Sequence, residues 1–212
     1  MGNSASGDII TITGDLGAGK SLLSKVLLKE FNAEYYSTGA AQRQIAQEMA
    51  ISTLELNQLA EKEKWVDEKI DSVFKDLAKT ETNLVVDSRM AWFFLPTSFK
   101  IRLEVHEDIA AQRIIEDKTR NGESYKSLED TKTGLIKRKS SECERFKTYY
   151  GVDIADHENY NLVIDTSGAQ PEDIAKIAVR AAKDFFENPV NASRAIWCTD
   201  TQGHLVQVSG KG

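Results

Sequence analysis

Short apolar runs alternate along this chain with longer stretches in which apolar residues recur every three or four positions, a pattern that predicts strands separated by helices. The first run, Ile9-Ile10-Thr11-Ile12-Thr13, leads into the glycine-rich Gly14 to Ser21, after which Leu22, Leu23, Val26 and Leu27 fall on one helical face. Glu34 to Ser37 reads as a second, shorter strand; Ser37-Thr38-Gly39 ends it and caps a helix starting near Ala40, with Ile45 and Met49 available for a core. Ser52 caps another short helix carrying Leu54, Leu56 and Leu59. From about Glu63 to Lys79 the spacing predicts one longer helix. Its apolar stripe is Trp65, Val66, Ile70, Val73, Phe74 and Leu77, and its wet side Asp67, Lys69, Asp71 and Lys75.

Leu84-Val85-Val86-Asp87 is continuously apolar up to its terminal carboxylate, as a strand buried on both faces of a parallel sheet requires. Phe99 to Val105 alternates, with Arg102 and Glu104 facing differently from Ile101 and Leu103. A helix from about Asp108 to Thr119 ends at Asn121-Gly122, and helical sequence resumes near Leu128. Tyr160 to Asp165 is the fifth strand, and Pro171 opens a helix with Ile174, Ile177, Ala178, Ala181 and Phe185 on one face. Five strands alternating with helices predict an α/β fold of three layers, a parallel sheet covered by helices on both faces with its ligand at the carboxyl ends of the strands. Asn188-Pro189 closes this domain, 1–187. In the extension 188–212, Ile196 to Thr199 and Leu205 to Val208 either pair as a hairpin across Gln202-Gly203 or form a frayed tail.

The bulk composition adds limits. At 212 residues, 41% hydrophobic and 28% charged, the chain suits one soluble domain, and a net charge of −6 argues against a general nucleic-acid or anionic-membrane binder. An anionic ligand must therefore be captured locally. Cys143 and Cys198 lie far apart without metal-ligand spacing and read as reduced thiols of a cytoplasmic protein. No apolar run approaches transmembrane length. Met1-Gly2-Asn3-Ser4-Ala5-Ser6 fits an N-myristoylation pattern but is equally a small polar lead-in, and the Asn191-Ala192-Ser193 sequon has no meaning in the cytosol. His106, His157 and His204 are scattered, and Trp92-Phe93-Phe94 reads as core.

Candidate chemistry centres on Gly14 to Ser21, a complete phosphate-binding loop between a strand and a helix. Its glycines let backbone amides turn inward, the helix N-terminus adds partial positive charge, Lys20 reaches outer phosphates and the Ser21 hydroxyl can ligate Mg²⁺. The candidate nucleotide-binding residues are Gly14, Asp15, Leu16, Gly17, Ala18, Gly19, Lys20, Ser21 and Leu22. Two arginines follow strand ends on the ligand side: Arg43 one helical turn inside the helix that begins after Ser37-Thr38-Gly39, and Arg89 two residues after Asp87. Bringing two polyanions together for phosphoryl transfer needs such guanidinium groups together with magnesium.

GDLGAGKS, STGAAQR and VVDSR stand in the order seen in nucleoside monophosphate kinases, which the chain resembles from about residue 8 to 185. TLELNQLAEKEKWVDEKID, VVDSRMAWFF and RKSSECERFKTYYGVDIADHENYNLVIDTS are similar to the short cytidylate kinase branch. That resemblance implies a phosphotransferase using ATP and Mg²⁺ on a nucleoside monophosphate acceptor, CMP or dCMP. It implies that Thr38, Gly39 and Arg43 border the acceptor, that Arg43, Arg89, Arg138 and Arg145 reach its phosphate, and that Asp87 sits near magnesium with Ser21. It also implies small helical segments, acceptor-binding at about 38–80 and a lid at about 106–145, with Arg113 and Arg120 in the lid beside Lys20 and Arg89 as catalytic groups. Asp153 is either a substrate residue of the branch signature or a turn aspartate. Lys139 stands where the branch more often has glutamate, and Ala40 and Ala41 where bulkier or acidic residues are usual, which leaves base choice open. A kinase for another small acceptor and a nucleotide-binding module without turnover are the alternatives. Oligomeric state is not readable.

Overall fold

In the computed structural model, which describes residues 7–117, 127–188, 194–200 and 202–210, the apolar runs become strands at the centre of a three-layer α/β fold. The order is β1 (Ile9–Gly14), α1 (Lys20–Glu30), β2 (Glu34–Ser37), α2 (Thr38–Glu48), α3 (Thr53–Ala60), α4 (Trp65–Asp71), α5 (Phe74–Leu77) and β3 (Leu84–Asp87). It continues with α6 (Ala91–Phe94), β4 (Phe99–Glu104), α7 (Glu107–Glu116), α8 (Leu128–Tyr150), β5 (Leu162–Asp165), α9 (Pro171–Glu187), β6 (Ala195–Thr199) and β7 (Leu205–Gly210). Residues 1–6, Arg120, the Asn121-Gly122 turn, Pro189 and the sequon at Asn191 lie outside the described residues.

The sheet runs β2-β3-β1-β4-β5-β6-β7, parallel throughout except for the antiparallel pair β6–β7. It has seven strands, not the five that alternation predicts. The two extra strands are weak in the sequence because neither is fully covered: β6 is half-buried, and Val206 and Val208 of β7 are exposed. On one face Ile10, Ile12, Ile101, Leu103 and Ile164 pack with Leu23 and Leu27 of α1 and Ala178 of α9. On another, Leu84 and Val86 meet Phe74, Ala91 and Leu95. Each such buried aliphatic side chain stabilises by roughly 1.5–3 kcal/mol. Ile45, Ala46, Leu56, Ala60 and Val66 make a separate small core for α2, α3 and α4, so these helices form a unit at the carboxyl edge.

Two predicted faces differ. In α1 only Leu23 and Leu27 of the predicted stripe are buried; Leu22, at 53%, opens onto a cleft from the first turn, and Val26 is exposed. The helix predicted over 63–79 is broken at Ser72-Val73 into α4 and α5. Its supposed wet side is wrong for Asp67, which is only 4% exposed, while Trp65 faces solvent. In β4 the alternation holds: Arg102 and Glu104 bond each other on the face away from Ile101 and Leu103, and Arg102 is buried there, also donating to the Ile154 carbonyl. Among the described residues no helix is long and apolar enough to cross a membrane.

Candidate active site

At the carboxyl edge of the sheet lies a cleft of about 1420 Å³, bordered by the glycine loop, α2, α4, α8 and the loop between β5 and α9. Gly14, Gly17 and Gly19 all have positive φ. At Gly14 the requirement is also spatial, since a Cβ there would stand 2.1 Å from the Leu103 carbonyl oxygen. Gly19 caps α1 in the left-handed conformation and turns the loop amides toward the cleft. Lys20 Nζ sits within the loop, donating to the carbonyls of Gly14 (2.9 Å) and Asp15 (2.7 Å). Burial and then the nearby Arg89 guanidinium lower its pKa to about 7. Ser21 opens onto the same space from the first turn of α1.

Arg89 follows β3 and donates through Nη1 to the Gly14 carbonyl. Its Nε meets Glu142 Oε2 at 2.7 Å, and the other oxygen of that carboxylate meets Arg138 Nε at 3.0 Å. Glu142 thus holds two guanidiniums side by side in the cleft wall. Burial alone would raise its pKa; Arg89, Arg138 and Arg145 outweigh that and keep it below the usual value. Asp87, at the end of β3, accepts from the Tyr35 hydroxyl at 3.3 Å and lines the cleft near Lys20.

The end of the cleft beside α2 is built differently. Ser37 caps α2, accepting from Ala40 N–H, and so delivers Thr38, Gly39 and the exposed Arg43 to the opening. Deeper, Arg145 Nε of α8 and Asp67 Oδ2 of α4 face each other at 3.0 Å, yet neither atom makes a hydrogen bond. Both side chains are more than nine-tenths buried and line the cleft. One turn on, Asp71 accepts from the Tyr150 hydroxyl. Burial is the main reason its pKa is raised, to about 6, with the Asp67 charge adding to the rise; burial likewise raises Tyr150.

The opposite end is formed by α7 and the loop 166–171. Arg113 Nη1 donates to the Gly17 carbonyl (3.2 Å), and Nη2 to the Thr166 (2.8 Å) and Ser167 (3.4 Å) carbonyls. It therefore clips the phosphate loop to the loop after β5.

The sequence model of the cytidylate kinase-like family matches residues 9–168. The chain belongs to that family. Among its relatives, the cytidylate kinase of Sulfurisphaera tokodaii is 36% identical over 171 residues, 80% of this chain and 92% of its own. The cytidylate kinase of Haloarcula marismortui is 32% identical over 179 residues, 84% and 90% of the two chains. A solved shikimate kinase from Bacteroides thetaiotaomicron superposes with a TM-score of 0.57 at 17% identity, covering 85% of this chain and 98% of that one; this likeness shows the fold alone.

In this member of the family, Gly17, Ala18, Gly19, Lys20, Ser21, Leu22, Thr38, Gly39, Arg43, Asp87, Arg89, Arg113, Arg138 and Arg145 share one cleft. Leu16 lines it too, whereas Asp15 turns away, its carboxylate taken by Lys139 Nζ at 3.0 Å and by the Val105 N–H. That contact gives the unusual Lys139 a partner. Asp153 is not brought in: exposed after α8, it accepts from Ala155 N–H at 2.8 Å and braces a turn. Arg120 falls outside the described residues. Sequence reasoning missed Glu142, Asp67 and Asp71. The signals were present: Glu142 lies four residues after Arg138 and three before Arg145, and Asp67 and Asp71 share a helical face.

Proposed function

We propose that this protein transfers the γ-phosphoryl group of ATP to a nucleoside monophosphate, CMP or dCMP, giving ADP and the nucleoside diphosphate. The observation that carries this reading is the single cleft with a phosphate loop in its floor and, beyond it, an arginine wall and a buried Asp67–Arg145 pair without hydrogen bonds at the facing atoms. The two charges pair with each other while lining space that a polar ligand can enter. Kinship with cytidylate kinases 30–36% identical over most of the chain supports CMP as that ligand.

The loop amides and Lys20 hold the outer phosphates of ATP, whose nucleoside extends toward Arg113 and the loop 166–171. Arg43, Arg89, Arg138 and Arg145 hold the acceptor phosphate, with Glu142 keeping Arg89 and Arg138 in register so that neither has to be ordered on binding. Asp67 and Asp71 offer acceptors to an exocyclic amino group, which cytosine has and uracil lacks. Ser21 and Asp87 present hard oxygen donors suited to Mg²⁺. Among the described residues no three His, Cys, Asp or Glu side chains cluster, so the ion's other ligands come from phosphate and water. When bound, it neutralises charge on the transferring group. We assign the acceptor-binding unit to about 38–80, the lid to about 106–145 including Arg120, and the kinase domain to 1–187.

ADP release measured with CMP, dCMP, UMP, AMP, GMP and small hydroxyl acceptors tests this reading. CMP and dCMP are expected to give the highest kcat/KM. Absence of turnover with any nucleoside monophosphate would falsify it.

A further inference from the structure

Strands β6 and β7 lie beyond residue 168, where the family match stops, and the chemistry above uses none of their residues. Because β6 runs parallel to β5, with Ile164 beside Trp197, its end and the following turn reach the carboxyl edge, where the phosphate loop also lies. The turn is tightly held. Asp200 N–H donates to the His204 carbonyl at 2.8 Å, and the Asp200 carboxylate accepts from Gln202 N–H (2.8 Å) and His204 N–H (2.9 Å).

This turn bears on the loop that borders the cleft. Thr199 Oγ1 donates to the Asp165 carbonyl at 3.2 Å. A Cβ on Gly168 would stand 2.7 Å from Thr199 Cγ2, and a Cβ on Gly203 would stand 3.3 Å from the Gly168 carbonyl oxygen. Loop and hairpin are therefore in direct contact, with a glycine on each side of it. Across the loop, the Thr166 and Ser167 carbonyls receive the Arg113 guanidinium, which also reaches Gly17. Contacts run without a gap from the hairpin tip, through Asp165–Gly168 and Arg113, to the phosphate loop.

Resting on the donor-end reading above, we infer that the β6–β7 hairpin is a positioning element for the donor nucleotide. Thr199 and Gly203 fix the loop 165–168 from behind, so that its carbonyls keep Arg113 against the phosphate loop and its cleft face in place for the nucleoside of ATP. Among the described residues of the hairpin tip, the contacts of Thr199 and Gly203 go to the loop 165–168, so its influence is expected to fall on the donor substrate.

The test compares wild type, Thr199→Ala, Thr199→Ser and Gly203→Ala, with Val208→Ala on the exposed outer strand as control. ATP affinity is measured by calorimetry, and the KM for ATP and for CMP by steady-state kinetics. Thr199→Ala and Gly203→Ala are expected to weaken ATP about three- to tenfold, the value of one hydrogen bond and its packing, in both Kd and KM. The KM for CMP stays unchanged, Thr199→Ser restores most of the loss, and Val208→Ala matches wild type. ATP affinity unchanged in both variants, or ATP and CMP constants rising together, overturns the inference. If wild type binds ATP without turning over CMP, the kinase reading fails, while the ATP affinities still decide the role of the hairpin.

Discussion

Lys20 is the residue whose chemistry changes most when a nucleotide arrives. In the free protein burial and Arg89 hold its pKa at about 7, against 10.5 for an ordinary lysine. Phosphates beside it favour the ammonium form and raise that value again, so above pH 7 binding draws in a proton. Calorimetry of ATP binding at pH 8 in buffers of different ionisation heat should show uptake, and Lys20→Ala should abolish it. Arg43, exposed at the opening, is proposed to serve binding rather than stability: Arg43→Ala is expected to raise the KM for CMP about 10- to 100-fold with an unchanged melting temperature. Asp71 works in the opposite sense from most carboxylates. Its folded pKa of about 6 exceeds the 3.8 of a free aspartate, so the folded state holds the extra proton between these values. The stability it contributes is complete below about pH 4 and lost as pH rises through 6. On going from pH 4.5 to 7, wild type should lose stability in urea unfolding relative to Asp71→Asn.

At the scale of elements, α8 is the member that joins the parts. Through Glu142 it reaches Arg89 after β3, through Arg145 it reaches Asp67 of α4, and through Lys139 it reaches Asp15 of the phosphate loop. Removing one partner from a buried ion cluster costs about 3–5 kcal/mol, and Glu142→Gln is expected to lose that order of stability in chemical unfolding. The same substitution should raise the KM for CMP more than that for ATP, since it releases Arg89 and Arg138. Strands and caps were legible in the sequence because they depend on local pattern: Val85 and Val86 announce a two-sided strand, and Ser52 with Glu55 forms the capping box that its spacing implies. The burial of Asp67 was not legible. On a helical wheel it falls among charged residues, and only the packing of α4 against Arg145 buries it. For β6 and β7 the sequence left a hairpin and a frayed tail open, since their half-covered faces weaken the alternation that marks a strand, and the structure forms the hairpin.

For the whole molecule, the sheet order places β1 between β3 and β4, so the phosphate loop, Asp87 and Arg89 emerge side by side. The proposed acceptor unit of α2 to α4, with its own small core, stands on one flank and Arg113 with the loop 166–171 on the other. A donor and an acceptor phosphate can therefore meet in line above Lys20 without a covalent intermediate on the protein. The net charge of −6 makes that local cationic wall the means of anion capture. Phosphorus NMR of the protein with ATP, Mg²⁺ and CMP reads the transfer directly. CDP and ADP are expected to appear in equal amounts with no inorganic phosphate; inorganic phosphate in place of CDP, or no reaction at all, would overturn the proposed transfer.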